Sequence, residues 1–293
     1  MLSQKQALTQ NRLAVSLQKA GFFDQYIQIM AFWTDDKLDD ESGWERLAVM
    51  RENLLADDAV QNGTASICVS CPPQKNGTSL LLSLEDARIL NHRVERVEKL
   101  YQMGIRFITP LWWGESCIGG AHDTKAGLTE FGKRAMRAAC EHGMILDISH
   151  ASRASADHIF EIAALQNRPV IASHSNAYRV CPVSRNLHPD QIQAIQAVGG
   201  VIGLNLYTRF LSLSHNATRE DVRRHIEYFL ECGAEASLCL GCDMDGAELP
   251  LDIPNIGALP SLAEYLSNYY SDALIRAIFF ENAYHFAKRH LLP

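Results

Sequence analysis

The run Met144-Ile-Leu-Asp-Ile-Ser-His150 is almost continuously apolar and ends on a histidine. Pro169-Val-Ile-Ala-Ser-His174 repeats that pattern one helical segment later. Runs of this kind suit parallel strands buried on both faces. Five more occur, at 26–33, 79–85, 105–109, 200–206 and 237–243. Between them lie segments with apolar residues at helical spacing. Residues 86–103 carry Ala87, Ile89, Leu90, Val94, Val97 and Leu100. Residues 129–142 open on Thr129, a good N-cap, and 152–166, 189–198 and 219–232 read the same way. Gly104, Gly143 and Gly233 fall just past helix ends, where a positive φ is common. Alternating strands and helices predict a parallel α/β fold. One domain spanning 1–293 is the simplest organisation.

The chain has 293 residues, and a single α/β barrel takes roughly 250. Seven strands are readable, whereas a closed (β/α)8 barrel needs eight. The first 20 residues read as helical, with Leu8, Leu13, Leu17 and Ala20 among the apolar positions. The strand that would complete the barrel is therefore expected ahead of Met1.

Lys and Arg number 27 against 34 Asp and Glu, a formal net charge of −7. A modestly acidic chain without a basic block argues against nucleic acid or an anionic membrane as partner. No apolar run approaches the ~18–20 residues of a membrane span. The opening residues lack the apolar stretch of a signal peptide, so the cytoplasm is the expected compartment. There the eight cysteines are expected to stay thiols. Of two C-x-x-C pairs, Cys68/Cys71 and Cys239/Cys242, the second falls in a strand-like run. Positions i and i+3 of a strand face opposite ways, which works against a shared metal.

The polar residues that end strands carry the functional signal. Glu85, His150, His174 and Asp243 each close one run. In a TIM barrel such ends converge on one catalytic mouth. Two imidazoles and a carboxylate are the donor set of many catalytic zinc sites. A second carboxylate can take a proton from an attacking water. Each residue taken alone has a plainer reading. A single strand-end histidine can be structural, Glu85 can be a helix N-terminal acid, and Asp243 and Asp245 can form a turn before Gly246. The other histidines are weaker candidates. His142, His158 and His225 lie in helical stretches and are expected at the surface, and His92 on a helix.

Several motifs together resemble the membrane (renal) dipeptidase family, the zinc peptidases of family M19. They are Leu146-Asp-Ile-Ser-His-Ala-Ser152, Pro169-Val-Ile-Ala-Ser-His-Ser175, Ser184-Arg-Asn186 and Gly241-Cys-Asp-Met-Asp-Gly246. Ser83-Leu-Glu85, Gly104-Ile-Arg-Phe-Ile-Thr109 and Gly127-Leu-Thr-Glu-Phe-Gly132 fit in the same order. The resemblance implies a (β/α)8 TIM-type barrel of the metal-dependent amidohydrolase kind, and hydrolysis of dipeptides, including those with a C-terminal D-residue. It implies that Glu85 bridges two zinc ions and that His150 and His174 are further ligands. It implies that Arg185 grips the substrate's carboxylate and that Asp243 relays the proton. Asp245 reads as more structural than catalytic.

Two departures accompany the resemblance. The family's first strand carries a His-x-Asp pair that helps hold one zinc, and no histidine precedes His92 here. One zinc or none is therefore expected. Trp112 stands where the renal branch has a histidine, as in bacterial branches, and can pack on substrate or serve as lid or core. Alternatives to a dipeptidase are a metal-deficient, non-catalytic family member and a mono-zinc amidohydrolase acting on another amide. Exposed strand edges would favour a homo-oligomer.

Overall fold

The computed structural model describes residues 6–34, 37–69, 77–214 and 216–291. By internal contacts the chain divides into two compact units, 1–10 with 23–170 and 288–293, and 11–22 with 171–287.

The first unit is built on parallel strands β1 (Gln25–Trp33), β3 (Gly77–Glu85), β4 (Ile105–Thr109) and β5 (Ile145–Asp147), hydrogen-bonded in that order. A short strand β2 (Ala65–Ile67) adds to β3 at Thr78–Leu80. The register sets Trp33 beside Glu85 and Glu85 beside Thr109, so these three share one end of the sheet. Leu80, Leu81, Leu82 and Leu84 of β3 are all buried, as are Ile105, Phe107 and Ile108 of β4. Apolar side chains pointing both ways are what a strand covered on both faces requires. β1 departs from that reading: most of it is half-buried, with Ile29 exposed and Phe32 buried.

The helix Glu130–Glu141 starts where Thr129 accepts a hydrogen bond from Gly132 N–H. It buries Phe131, Ala135, Met136 and Ala139 at three- and four-residue spacing. The helix Arg153–Leu165 is capped in the same way by Ser152. Gly104 and Gly143 take φ of 94° and 84°, as expected after helix ends.

In the second unit, β7 (Ile202–Leu204) pairs in parallel with β8 (Leu238–Leu240). Ala172, just after β6 (Val170–Ile171), bridges to Ile202. The backbone is packed closely here. A Cβ at Gly203 or at Gly241 would lie 1.9 Å from the Ser173 carbonyl oxygen. The helices Pro189–Ala197 and Arg219–Glu231 bury Ile192, Ile195, Val222, Ile226 and Phe229.

All seven sequence-read strands recur, and β2 is an addition. Three expectations need correction. Residues 86–103 are not one helix but a 3-10 turn, Ala87–Leu90, followed by the helix Glu95–Gln102. Asn91 and His92 have φ of 45° and 58°, which no continuous right-handed helix accommodates. Among residues 6–20 only Leu17–Ala20 is helical. Cys242 lies beyond β8, so its pair with Cys239 does not sit within one strand; Cys71 lies outside the described residues.

Candidate metal and substrate site

In the first unit, Glu85 ends β3 and His150 follows β5 by three residues. His150 Nε2 lies 2.9 Å from Glu85 Oε1. Its Nδ1 is 2.9 Å from the Trp112 carbonyl oxygen, which can only accept. The Nδ1 proton is thereby placed, and in the neutral imidazole Nε2 presents a lone pair to the carboxylate. Two lone-pair donors at that distance need a proton or a cation between them. An imidazole held by a backbone carbonyl at its far nitrogen is the usual outer arrangement of a metal-binding histidine. One nitrogen and one carboxylate oxygen are donors that suit zinc.

Aromatic rings cluster beside this pair. Trp112 and Trp33 pack with ring centroids 5.0 Å apart. His122 lies between Trp113, at 5.3 Å, and His150, at 6.1 Å. Asp147 is buried behind His150 in the chain. It accepts from Thr109 Oγ1 at 2.7 Å, from Ser149 N–H at 3.0 Å and from Ser149 Oγ at 2.7 Å. This joins the ends of β4 and β5. The neighbouring Asp86 is paired with Arg88, yet burial pushes its carboxyl up to about 6.

In the second unit, His174 follows β6, and Ser173 Oγ lies 2.7 Å from its Nδ1. Arg185 is 3% exposed. Its guanidinium donates to Ser175 Oγ and to the His174 carbonyl, each at 3.4 Å, and lies 5.2 Å over the Phe210 ring. Asp243 follows β8 with a φ of 56°. Its Oδ2 accepts from Asn205 Nδ2 at 3.2 Å. The same Nδ2 also lies 3.3 Å from the His174 carbonyl, so Asn205 links His174 to Asp243. Asp245 accepts from Ala14 and Val15 N–H, in keeping with a structural role.

Sequence reasoning missed Asn205 and Asn176. The Asn176 side-chain amide donates to the Asn205 carbonyl and accepts from the Asn205 N–H, each at 3.0 Å, tying the segments after β6 and β7 together. The signal was a polar residue interrupting the apolar run 200–206. His225 is a correction: expected at the surface, it is 0% exposed. It stands on the buried stripe with Val222, Ile226 and Phe229. Its spacing from them could have revealed this.

Among the described residues no helix is long and apolar enough to cross a membrane. A protein in the pqqA 5′ region of Klebsiella pneumoniae is 28% identical over 249 residues, covering 79% of this chain and 89% of that protein. Dipeptidase aclJ of Aspergillus oryzae is 27% identical over 198 residues, 64% of this chain; the chain spans 46% of that relative's length. Among solved structures, a metallo peptidase from Rhodobacter sphaeroides liganded with a phosphinate mimic of the dipeptide L-Ala-D-Ala aligns with a TM-score of 0.83 at 24% identity, over 96% of this chain and 91% of that one. This likeness shows the fold, an α/β TIM-type barrel. The membrane dipeptidase model, peptidase family M19, matches residues 45–289. The chain therefore belongs to the membrane dipeptidase family, peptidase family M19, and its enzyme class is that of the metallo-dipeptidases, which are hydrolases.

Proposed function

We propose that this chain hydrolyses the single peptide bond of dipeptides, with zinc held by Glu85, His150 and His174. The observation that carries the reading is the Glu85–His150 pair, with the imidazole's far nitrogen engaged by the Trp112 carbonyl. Bound zinc would supply Lewis acidity toward the scissile carbonyl and lower the pKa of a water to about 7. The protein residues do the remainder. Asp243, oriented by Asn205, takes the proton from the attacking water and returns it to the leaving amine. Arg185 holds the free carboxylate of the substrate, since a planar guanidinium suits bidentate carboxylate binding. Trp112 offers an apolar face for a substrate side chain.

The dipeptide mimic on the similar Rhodobacter enzyme supports substrates with a C-terminal D-residue. The test is hydrolysis of L-Ala-D-Ala and L-Ala-L-Ala by the purified chain with zinc supplied, beside the Glu85→Ala and His174→Ala variants. Loss of hydrolysis in both variants is expected. Activity that survives both changes overturns the zinc mechanism.

A further inference from the structure

His225 lies in the middle of the helix Arg219–Glu231, fully buried, and both of its ring nitrogens are engaged. Nδ1 accepts the Ala177 N–H at 3.1 Å, and Nε2 donates to the Leu211 carbonyl at 3.1 Å. One bond requires a lone pair and the other a proton, so the ring is neutral with its hydrogen on Nε2. Burial agrees with this, lowering its pKa to about 4.

The two anchored backbone points are the two sides of the Arg185 seat. Ala177 belongs to the segment from which Arg185 projects. Leu187 N–H donates to the Asn176 carbonyl at 2.8 Å, and Tyr178 N–H to the Leu187 carbonyl at 2.9 Å. These bonds fasten Ala177 to the residues just after Arg185. Leu211 ends the short helix Thr208–Leu211, which carries Phe210, the ring beneath the guanidinium. Asn186 Nδ2 closes the remaining gap, donating to the Phe210 carbonyl at 2.9 Å and to the Cys181 carbonyl at 2.8 Å.

We infer that His225 is a positioning residue for Arg185, holding in one ring the segment that carries the arginine and the helix that carries Phe210. The inference rests on the reading of Arg185 as the carboxylate grip. A buried bond at each end of one rigid ring fixes the spacing of the two segments. Small displacements of a substrate-positioning group cost up to about 100-fold in rate.

The experiment compares a dipeptide with the same dipeptide amidated at its C-terminus, in the zinc-loaded full chain. In the wild type the free acid is preferred. Arg185→Ala is expected to abolish that preference. His225→Ala is expected to cut it by about 10- to 100-fold, mainly through KM for the free acid, with the amide nearly unaffected. The Arg185→Ala/His225→Ala double variant should then match Arg185→Ala. His225→Asn and His225→Gln can each restore one of the two bonds, and they keep the test open if the alanine variant does not fold. Each should fall between wild type and His225→Ala in its preference for the free acid. Folded His225 variants that keep the full preference overturn the positioning role alone. Full preference retained in Arg185→Ala overturns the carboxylate-grip reading, and the positioning role with it.

Discussion

The Thr109 hydroxyl donates to Asp147 Oδ2 at 2.7 Å, joining the last residue of β4 to the last residue of β5. Asp147 is 1% exposed, and its other oxygen is taken by both the backbone and the side chain of Ser149. Removing such a carboxylate takes an acceptor away from buried donors, at about 1–3 kcal/mol for each group left unsatisfied. Asp147→Ala should therefore lower unfolding stability by about 3 kcal/mol, and Thr109→Val by about 1 kcal/mol. Urea denaturation measures both. A loss under about 0.5 kcal/mol for Asp147→Ala would show that these bonds contribute little beyond what water supplies.

The Glu85–His150 pair leads to a prediction about metal retention. Disturbing even the outer partners of a metal ligand typically costs 10–100-fold in affinity, and removing a ligand should cost at least as much. Glu85→Gln and His150→Ala should each weaken zinc binding by about 100-fold or more. Competition with a chelating indicator reads this directly, without an activity assay. Unchanged affinity in both variants would leave the close pair as an ordinary ion pair with a protonated imidazole.

Gly203 faces a carbonyl rather than open space. A Cβ there would sit 1.9 Å from Ser173 O, and the obstruction is backbone, so it cannot swing aside. Overpacking usually costs 1–3 kcal/mol, and Gly203→Ala should reach about 3 kcal/mol or more because Gly241 Cα, at 2.8 Å, blocks it as well. Gly143→Ala meets only the flexible end of Arg168 at 3.8 Å, and its φ of 84° should cost about 1 kcal/mol. Thermal melts of the two variants should differ accordingly; equal losses would contradict the close approach.

His225 also sets a pH dependence. Its pKa falls from an ordinary 6.5 to about 4 in the folded chain, first because burial penalises the charged ring. The unfolded chain thus binds a proton that the native chain refuses between these values. Stability from this group is complete above pH 6.5 and is lost as pH falls toward 4, by up to roughly 3 kcal/mol. His225→Gln should flatten the stability-versus-pH curve across that window. Identical slopes for the variant and the wild type would show that His225 is charged when folded.

The placement of the candidate site residues at strand ends was legible in the sequence. Glu85, His150, His174 and Asp243 each end an apolar run, and the structure places each just at or after a strand. Thr129 and Ser152 declare their helices because a capping hydroxyl acts locally. The break at Asn91 and His92 was not legible, because the apolar spacing of 86–103 continues through it. Both residue types tolerate a left-handed backbone, yet nothing in the spacing requires it.

Periodicity and strand-end chemistry, which act between near neighbours, were enough for the sequence to determine the α/β pattern and to mark the strand-end residues that form the candidate site. Only the tertiary structure decided how those residues are held. It set the Trp112 carbonyl on His150, Asn205 between His174 and Asp243, and His225 between Ala177 and Leu211. Each of these bonds joins segments 14 to 48 residues apart in the chain. A buried polar group must find a partner, but which partner it finds depends on how the distant segments pack.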